Sequence, residues 1–213
     1  MSEIAHHFLT FALKTQVLRF GEFTTKAGRL SPYFFNAGLF SQGSTFHQLC
    51  DFYARTIEEQ AIPFDFLFGP AYKGIPLVAG IALVLAQRGR DVPFCYNRKE
   101  IKDHGEGGQL VGAIQGRALI IDDVISAGTS IRESVVLLQQ ANASASAVLT
   151  ALDRMERGQG NESAKEEIQR TLKIPVHSIA NVAQLLTLLD QDKTYLGPVT
   201  QLKQYLATYG QSD

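Results

Sequence analysis

The chain has 213 residues, a formal net charge of −1 and a hydrophobic fraction of 45%. Such a length and composition fit one globular domain, with or without a small accessory lobe. The charge balance excludes a global basic field that would gather nucleic acid or an anionic membrane, so an anionic substrate has to be held by a few local cations. The N-terminus lacks the basic start and apolar core of a signal peptide, and no apolar stretch is long enough to span a bilayer. We therefore expect a cytoplasmic protein that binds neither nucleic acid nor membrane.

The cysteines and histidines show no metal-binding pattern. Cys50 and Cys95 lie far apart, form no CxxC and stand beside apolar residues, which favours reduced core thiols. The five histidines are scattered, without HExxH or another metal spacing. A histidine-ligated metal is therefore not expected.

The N-terminal part of the chain predicts a helix followed by a small antiparallel lobe. Apolar residues at helical spacing from Ile4 to Leu18 predict an amphipathic helix that ends at Gly21. Residues 24–29 indicate a turn, and residues 33–35 indicate a strand.

A second helix and an alternation of strands and helices follow. Ser44 can cap the second helix, and its buried face carries Phe46, Leu49, Cys50, Tyr53 and Ile57. Apolar strands are predicted at 64–68, 92–97, 118–122, 145–152 and 175–179, with helices at about 75–88 and 130–141 and a last amphipathic helix after Gly197 and Pro198. Continuous apolar strands that alternate with helices predict an α/β protein whose parallel sheet is covered on both faces.

The strongest chemical signal is the run LIIDDVISAGTS from Leu119 to Ser130. A buried strand leads into Asp122 and Asp123, then into a loop of small residues and a helix for which Ser130 and Glu133 have capping-box spacing. The amides and hydroxyls of such a loop, at a helix N-terminus, form an anion site. Two carboxylates beside a bare phosphate would be costly, so the run favours a phosphorylated sugar with free hydroxyls. Taken alone, a strand that ends in two acids is weak evidence, since receiver domains show it too.

Two other loops follow predicted strands and carry cations. Gly69 and Gly74 enclose a loop with Lys73, and glycines permit close backbone approach. The segment 98–108, RKEIKDHGEGG, has three glycines within four residues and suits a lid over a diphosphate. Its basic residues are Arg98, Lys99, Lys102 and His104. In isolation, the first loop is an ordinary connection with a solvated lysine, and the second is a solvated charged loop with balanced signs.

Together these segments resemble the type I phosphoribosyltransferases, and the orotate phosphoribosyltransferases in particular. The run from Asp122 through Thr129 resembles the signature that binds PRPP (5-phosphoribosyl 1-diphosphate). RKEIKDHGEGG resembles the orotate enzymes' lid, and residues 25–35, TKAGRLSPYFF, are similar to their N-terminal hood. Arg154, just past the strand end, matches the arginine that binds the orotate carboxylate through two parallel hydrogen bonds.

The resemblance implies the type I phosphoribosyltransferase fold, a parallel-sheet core flanked by helices with a small N-terminal hood subdomain. The single domain then divides into a hood at about 1–42, a core at about 43–180 and C-terminal helices at about 181–213. The implied reaction joins N1 of orotate to the phosphoribosyl group of PRPP. Mg²⁺ is implied as cofactor, bound mainly through PRPP and water rather than by a protein cage. A homodimer is also implied, in which Lys99, Lys102 and His104 act on the neighbouring subunit whereas Arg98 stays with its own.

The resemblance also assigns roles to individual residues. Asp122 and Asp123 contact the ribose hydroxyls, and together with Lys102 and His104 they form the catalytic set. The residues implied to bind PRPP are Lys26, Tyr72, Lys73, Arg98, Lys99, Lys102, His104, Asp122, Asp123, Val124, Ile125, Ser126, Ala127, Gly128, Thr129 and Ser130. Those implied to bind orotate are Lys26, Phe34, Phe35, Ser126 and Arg154. Ser126 stands where family members commonly have threonine, and the hydroxyl is kept.

Two other functions compete with this interpretation. A purine phosphoribosyltransferase would share the PRPP loop, but the KDHGEGG lid and the hood argue against it. A PRPP-sensing regulator that binds nucleic acid would need a basic face or an added DNA-binding module, and the net charge of −1 favours neither.

Overall fold

A computed structural model describes residues 1–25, 28–102, 108–125, 128–157 and 162–211. The helices are α1 (Glu3–Lys14), α2 (Gly43–Glu59), α3 (Gly74–Gln87), α4 (Thr129–Gln140), α5 (Ala164–Leu172), α6 (Val182–Leu189) and α7 (Leu196–Tyr209). The strands are β1 (Leu18–Thr24), β2 (Leu30–Phe35), β3 (Phe66–Gly69), β4 (Phe94–Lys102), β5 (Gly108–Gly112), β6 (Arg117–Val124), β7 (Ser144–Asp153) and β8 (Val176–Asn181). Within the described ranges, no helix combines the length and the apolar character that crossing a membrane requires.

A six-stranded sheet forms the centre of the molecule, in the order β5-β4-β3-β6-β7-β8. Its strands pair in parallel except for β5, which runs antiparallel to β4 at one edge. Successive side chains of a strand point to opposite faces. Accordingly, Leu119 and Ile121 of β6 enter one apolar cluster with α1, α2, α3, α6 and α7, whereas Ile120 enters another with α4 and α5. The predicted α/β architecture, with a sheet covered on both faces, is confirmed.

The N-terminal lobe is a separate two-stranded antiparallel sheet of β1 and β2, as predicted. The predicted helix from Ile4 to Gly21 was wrong at its C-terminal end, because α1 stops at Lys14 and Leu18 opens β1. Gln16 takes a positive φ of 58° between them and so reverses the chain. Leu18 suits a helical apolar face and a strand equally well, and pairing with Phe35 decides in favour of the strand.

Two predicted helix starts were also wrong. Helix α2 begins at Gly43 after Gln42, without a side-chain cap, so Ser44 lies inside its first turn. Helix α7 begins at Leu196 and therefore includes Pro198 in its first turn. Proline is tolerated there because the amide that it lacks would have no partner within the helix.

Candidate active site

The order of the strands in the sheet reverses between β3 and β6, which are neighbours. β4 lies on one side of β3 and β6 on the other, although β4 and β5 precede β6 in the chain. Ligands of open α/β sheets bind at such a switch, beyond the carboxyl ends of the strands. Here the loop after β3 brings Lys73 to the end of β6, where its Nζ lies 2.5 Å from Oδ2 of Asp123. Two of the loops predicted to carry chemistry therefore meet at the switch.

The loop after β3 depends on its two glycines. A Cβ on Gly69 would lie 2.3 Å from the carbonyl oxygen of Gly74, and one on Gly74 would lie 2.7 Å from the carbonyl carbon of Gly69. Because both contacts are to backbone, a side chain at either position requires the loop to open. The amide of Ala71 donates to Oδ1 of Asn97 in β4 at 2.8 Å, which ties the loop to the neighbouring strand. The loop thus presents Lys73 from a closely packed turn.

The two acids at the end of β6 are held by local hydrogen bonds. Oδ1 of Asp122 accepts from the amide of Asp123 at 2.9 Å, and Oδ2 accepts from the hydroxyl of Ser130 at 3.1 Å. Asp123 is buried, and its Oδ1 accepts from the amide of Val124 at 2.9 Å. The hydroxyl of Tyr53 donates to the carbonyl of Asp122 at 2.7 Å. Burial, and next the charge of Asp123, raise the pKa of Asp122 to about 6.

The start of α4 differs from the predicted capping box. Gly128 precedes the helix with a φ of +70° and no side chain caps the helix, so the prediction that Ser130 and Glu133 cap it was wrong. Ser130 donates instead to Asp122. Thr129 is exposed at the first helical position. Val124 ends β6, Ile125 follows half-buried, and Ser126 and Ala127 lie outside the described residues.

The first residues of the predicted lid lie in a strand. Strand β4 continues to Lys102, so Arg98 and Lys99 belong to a strand that pairs with β5 rather than to a loop. Nζ of Lys99 lies 4.9 Å from the ring centroid of Tyr72, whose side chain is exposed in the loop after β3. Arg98 is half-buried. His104 and the side chain of Lys102 lie outside the described part of the chain.

Arg154 follows β7 and lies at the same edge of the sheet, because β7 pairs in parallel with β6. Its side chain is only 13% exposed and pairs with Glu156, with Nη2 at 2.6 Å from Oε1. Nη2 also donates to the hydroxyl of Ser31 in β2 at 3.0 Å. The guanidinium lies 4.3 Å above the ring centroid of the buried Tyr33. Arg154 therefore joins the lobe of β1 and β2 to the carboxyl edge of the main sheet.

The phenylalanines of the predicted hood point in different directions. Phe34 is partly exposed and stacks on Phe23, with ring centroids 5.4 Å apart. Phe35 is buried in the core against Phe8. Lys26 lies outside the described residues. Only Phe34 of the two rings is accessible to a ligand.

A cavity of about 370 Å³ lies beside Lys73 and Asp123. Apolar side chains make up much of its wall, namely Phe40, Phe46, Leu49, Pro76 and Leu77. A second, narrower cleft contains Arg154 and Glu156. The structure thus brings Lys73 together with Asp122, Asp123 and Ser130, and it places Arg154 with the lobe.

Several contact residues of the site were not predicted. Asn97, Ser31 and Glu156 each hold a predicted residue or loop in place. Tyr205 in α7 reaches the same cluster through Glu156. No local sequence pattern marks these residues as part of the site. Their side chains are common polar ones, and most of their partners are distant in sequence and come close only in the folded chain.

The donors present suit a cation that is held mostly by substrate. Among the residues described, no group of three or more His, Cys, Asp or Glu side chains converges on one point. Asp122 and Asp123 supply carboxylate oxygens, the donors that Mg²⁺ prefers, but too few for its octahedral shell. The remaining ligands would have to be substrate oxygens and water.

Comparisons with known proteins agree with this arrangement. Residues 40–185 match the profile of the phosphoribosyl transferase domain. The chain is 55% identical over 211 residues to the orotate phosphoribosyltransferase of Laribacter hongkongensis, covering 99% of each chain. It is 55% identical over 214 residues to that of Chromobacterium violaceum, covering 100% of each. The crystal structure of the Francisella tularensis orotate phosphoribosyltransferase matches with a TM-score of 0.85 at 43% identity, over 96% of this chain and 99% of that one.

A more distant structure shares the fold alone. The orotate phosphoribosyltransferase of Mycobacterium tuberculosis, solved in complex with PRPP, matches with a TM-score of 0.60 at 13% identity, over 87% of this chain and 93% of that one. The domain profile covers most of the chain, and the identities extend over its full length. The chain therefore belongs to the orotate phosphoribosyltransferases.

Proposed function

We propose that the protein transfers the 5-phosphoribosyl group of PRPP to N1 of orotate, giving orotidine 5′-monophosphate and diphosphate in pyrimidine biosynthesis. The observation that carries the proposal is the meeting of Lys73 with Asp122 and Asp123 at the switch point of the sheet. A cation beside two carboxylates matches a substrate that carries both a diphosphate and free sugar hydroxyls. Arg154, on the adjacent strand end, supports an anionic base as the acceptor.

The reaction breaks the bond between the anomeric carbon and the diphosphate while N1 attacks from the opposite face. Negative charge accumulates on the departing diphosphate, and positive charge develops on the ribose. Lys73 is assigned to the diphosphate, together with Tyr72, which precedes it in the same loop, and Arg98 in β4. Loss of one such cation should lower the rate by about 10²–10³-fold, as loss of one oxyanion donor does.

Asp122 and Asp123 are assigned to the ribose hydroxyls. Their hydrogen bonds to Ser130 and to neighbouring amides hold the carboxylates at the strand end before substrate arrives. The loop from Val124 to Ser130 is assigned to the 5′-phosphate, which a helix N-terminus with unpaired amides attracts. Gly128, with its positive φ, shapes the part of this loop that enters α4.

Magnesium is the proposed cofactor, and when bound it supplies positive charge to the oxygens of PRPP and of the leaving diphosphate. Asp122 and Asp123 are the protein groups that would help to hold it, directly or through water. Family members use Mg²⁺ with PRPP, and this donor set fits such shared binding.

Orotate is assigned to the surroundings of Arg154 at the carboxyl edge of the sheet, beside the N-terminal lobe. The guanidinium would bind the carboxylate of orotate, which uracil and the purine bases lack. Lys26, Ser126 and the backbone of Phe34 and Phe35 are assigned further contacts with the base.

We further propose that the active site is shared across a homodimer. The lid residues Lys99, Lys102 and His104 would act on the neighbouring subunit, as the likeness of residues 98–108 to the family's lid suggests. The position of β4 and β5 supports this, because β5 is an edge strand of the sheet and β4 pairs with it.

An assay of diphosphate release tests the proposed reaction directly. Orotate and PRPP should react together, neither should be consumed alone, and chelation of Mg²⁺ should abolish turnover. Adenine and hypoxanthine serve as competing acceptors in the same assay. Activity with either purine, but none with orotate, would refute the orotate assignment.

A further inference from the structure

Arg154 is held in a network that the reaction itself does not require. Its Nε and Nη2 both donate to Oε1 of Glu156, at 2.8 and 2.6 Å, and Nη2 also donates to Ser31. The ring of Tyr33 lies beneath the guanidinium. These bonds use Nε and Nη2, and Nη1, which carries two further N–H donors, takes part in none of them.

Glu156 is in turn held by the C-terminal helix. The hydroxyl of Tyr205, in α7, donates to the same Oε1 at 3.0 Å. Tyr205 is buried, and its ring lies edge-on to Tyr33 with centroids 6.5 Å apart. Arg29 of the N-terminal lobe also lies near Glu156, with Nη1 at 3.9 Å from Oε2. Residues from three distant parts of the chain therefore converge on one carboxylate.

Stability does not account well for this network. Arg154 and Glu156 are only 13% and 16% exposed. Buried ion pairs give little net stability compared with apolar side chains of similar volume, since both charges must leave water. A buried ion pair of this kind is better explained by a need to hold a charged group in a fixed direction. The two bonds from Nε and Nη2 to Glu156 fix the plane of the guanidinium and the direction in which Nη1 points.

We propose that Glu156, held by Tyr205, is a positioning residue that orients Arg154 for the carboxylate of orotate. This inference rests on the proposed role of Arg154 and extends the orotate site to α7. Glu156 acts through Arg154 and does not touch the substrate. The C-terminal helix thereby contributes to selectivity for the acceptor base, and PRPP binding does not depend on it.

Steady-state kinetics of Glu156→Gln and Tyr205→Phe test the proposal. Glu156→Gln keeps the shape but weakens the charge-assisted bonds, and the KM for orotate should rise by about 10-fold. Tyr205→Phe removes one hydroxyl and should raise it by about 3-fold. The KM for PRPP and kcat should change by less than about 2-fold, because neither substitution reaches the PRPP loops. Tyr209→Phe is the matched control, since its ring packs on Tyr205 and its hydroxyl bonds to no described residue.

A double-mutant cycle separates positioning from general structural damage. If Glu156 acts through Arg154, Glu156→Gln should have no further effect on the orotate KM in an Arg154→Ala background. Arg154→Ala alone should raise that KM by at least about 100-fold, since it removes the partner of a carboxylate. Thermal unfolding of every variant shows which of them are folded. If Glu156→Gln does not fold, the kinetics of Tyr205→Phe provide the test.

The outcomes distinguish this inference from the proposed function. An unchanged orotate KM in Arg154→Ala would refute the role of Arg154 itself. A large effect of Arg154→Ala with unchanged orotate KM in the folded Glu156→Gln and Tyr205→Phe variants would overturn the positioning role alone. Equal increases in the KM for orotate and for PRPP would also overturn it, because they indicate a general distortion.

Discussion

Replacing Asp122 by asparagine should make the free protein more stable above about pH 7, although it impairs a residue of the proposed site. Asn can keep both local bonds, with Oδ1 accepting from the amide of Asp123 and Nδ2 donating to the hydroxyl of Ser130. What it removes is a carboxylate that is costly to ionise beside Asp123. Functional sites often hold such unfavourable charges at the expense of stability.

The magnitude follows from the pKa of Asp122, which burial and then the charge of Asp123 raise from 3.8 to about 6. A tenfold change in proton affinity corresponds to about 1.4 kcal/mol, so the full cost of ionisation is at most about 3 kcal/mol. Partial solvent screening reduces the expected gain in unfolding free energy to about 1–3 kcal/mol. Because the folded state holds the proton more tightly than the unfolded state, this cost is nearly absent below about pH 4 and complete at about pH 8.

Thermal unfolding of the wild type and Asp122→Asn between about pH 4 and 8 measures the effect. The variant should melt about 3–10 °C higher at about pH 8, and the difference should shrink steadily toward about pH 4. Asp91→Asn serves as the control, because Asp91 is exposed and has no hydrogen bond or ion pair with a described residue. A gain of equal size at both ends of the pH range, or no gain at all, would show that ionisation of Asp122 does not cost the fold stability.

Three further predictions concern PRPP and the dimer. Asp123→Asn should raise the KM for PRPP by at least about 10-fold while leaving the fold intact, and unchanged PRPP kinetics would remove the ribose role of Asp123. Gly74→Ala should lower turnover by at least about 10-fold and stability by about 1–3 kcal/mol, because its Cβ would lie 2.7 Å from the backbone of Gly69. Gly197→Ala is its control, as nothing lies within 4 Å of that Cβ, and equal behaviour of the two variants would argue against the tight loop. Mixed Lys102→Ala and Asp123→Asn subunits should regain about a quarter of wild-type activity after random exchange, since half of the dimers then carry one intact site. Verified subunit exchange without recovery would exclude a lid that acts in trans.

The sheet and the loops of the proposed site could be predicted because their signals are local. Each apolar strand is continuous in sequence, and the acids or glycines that matter follow it directly. The run from Leu119 to Asp123 specifies both a buried strand and what stands at its end. The pairing of β3 with β6, which the sequence does not reveal, then brings Lys73 to Asp123.

Other features depend on contacts that a single segment does not reveal. Arg98 and Lys99 were predicted to lie in a charged loop, yet β4 continues through them to Lys102, which pairs with Gly108 of β5. Helix α5 was not predicted, because only Ala164 and Ile168 of its residues are buried. The pairing of Tyr205 with Glu156 joins positions 49 residues apart. Tertiary contacts determined the structure in each case.

The ion pair of Lys73 and Asp123 also affects substrate binding and product release at the proposed site. In the free protein each side chain already has a counter-ion, so PRPP binding would exchange partners rather than neutralise isolated charges. Lys73 would move to the diphosphate while Asp123 turns to the ribose. Such an exchange makes affinity less sensitive to salt than capture by an unpaired lysine would be. When diphosphate leaves, Lys73 can form its ion pair with Asp123 again, and this alternative partner favours product release.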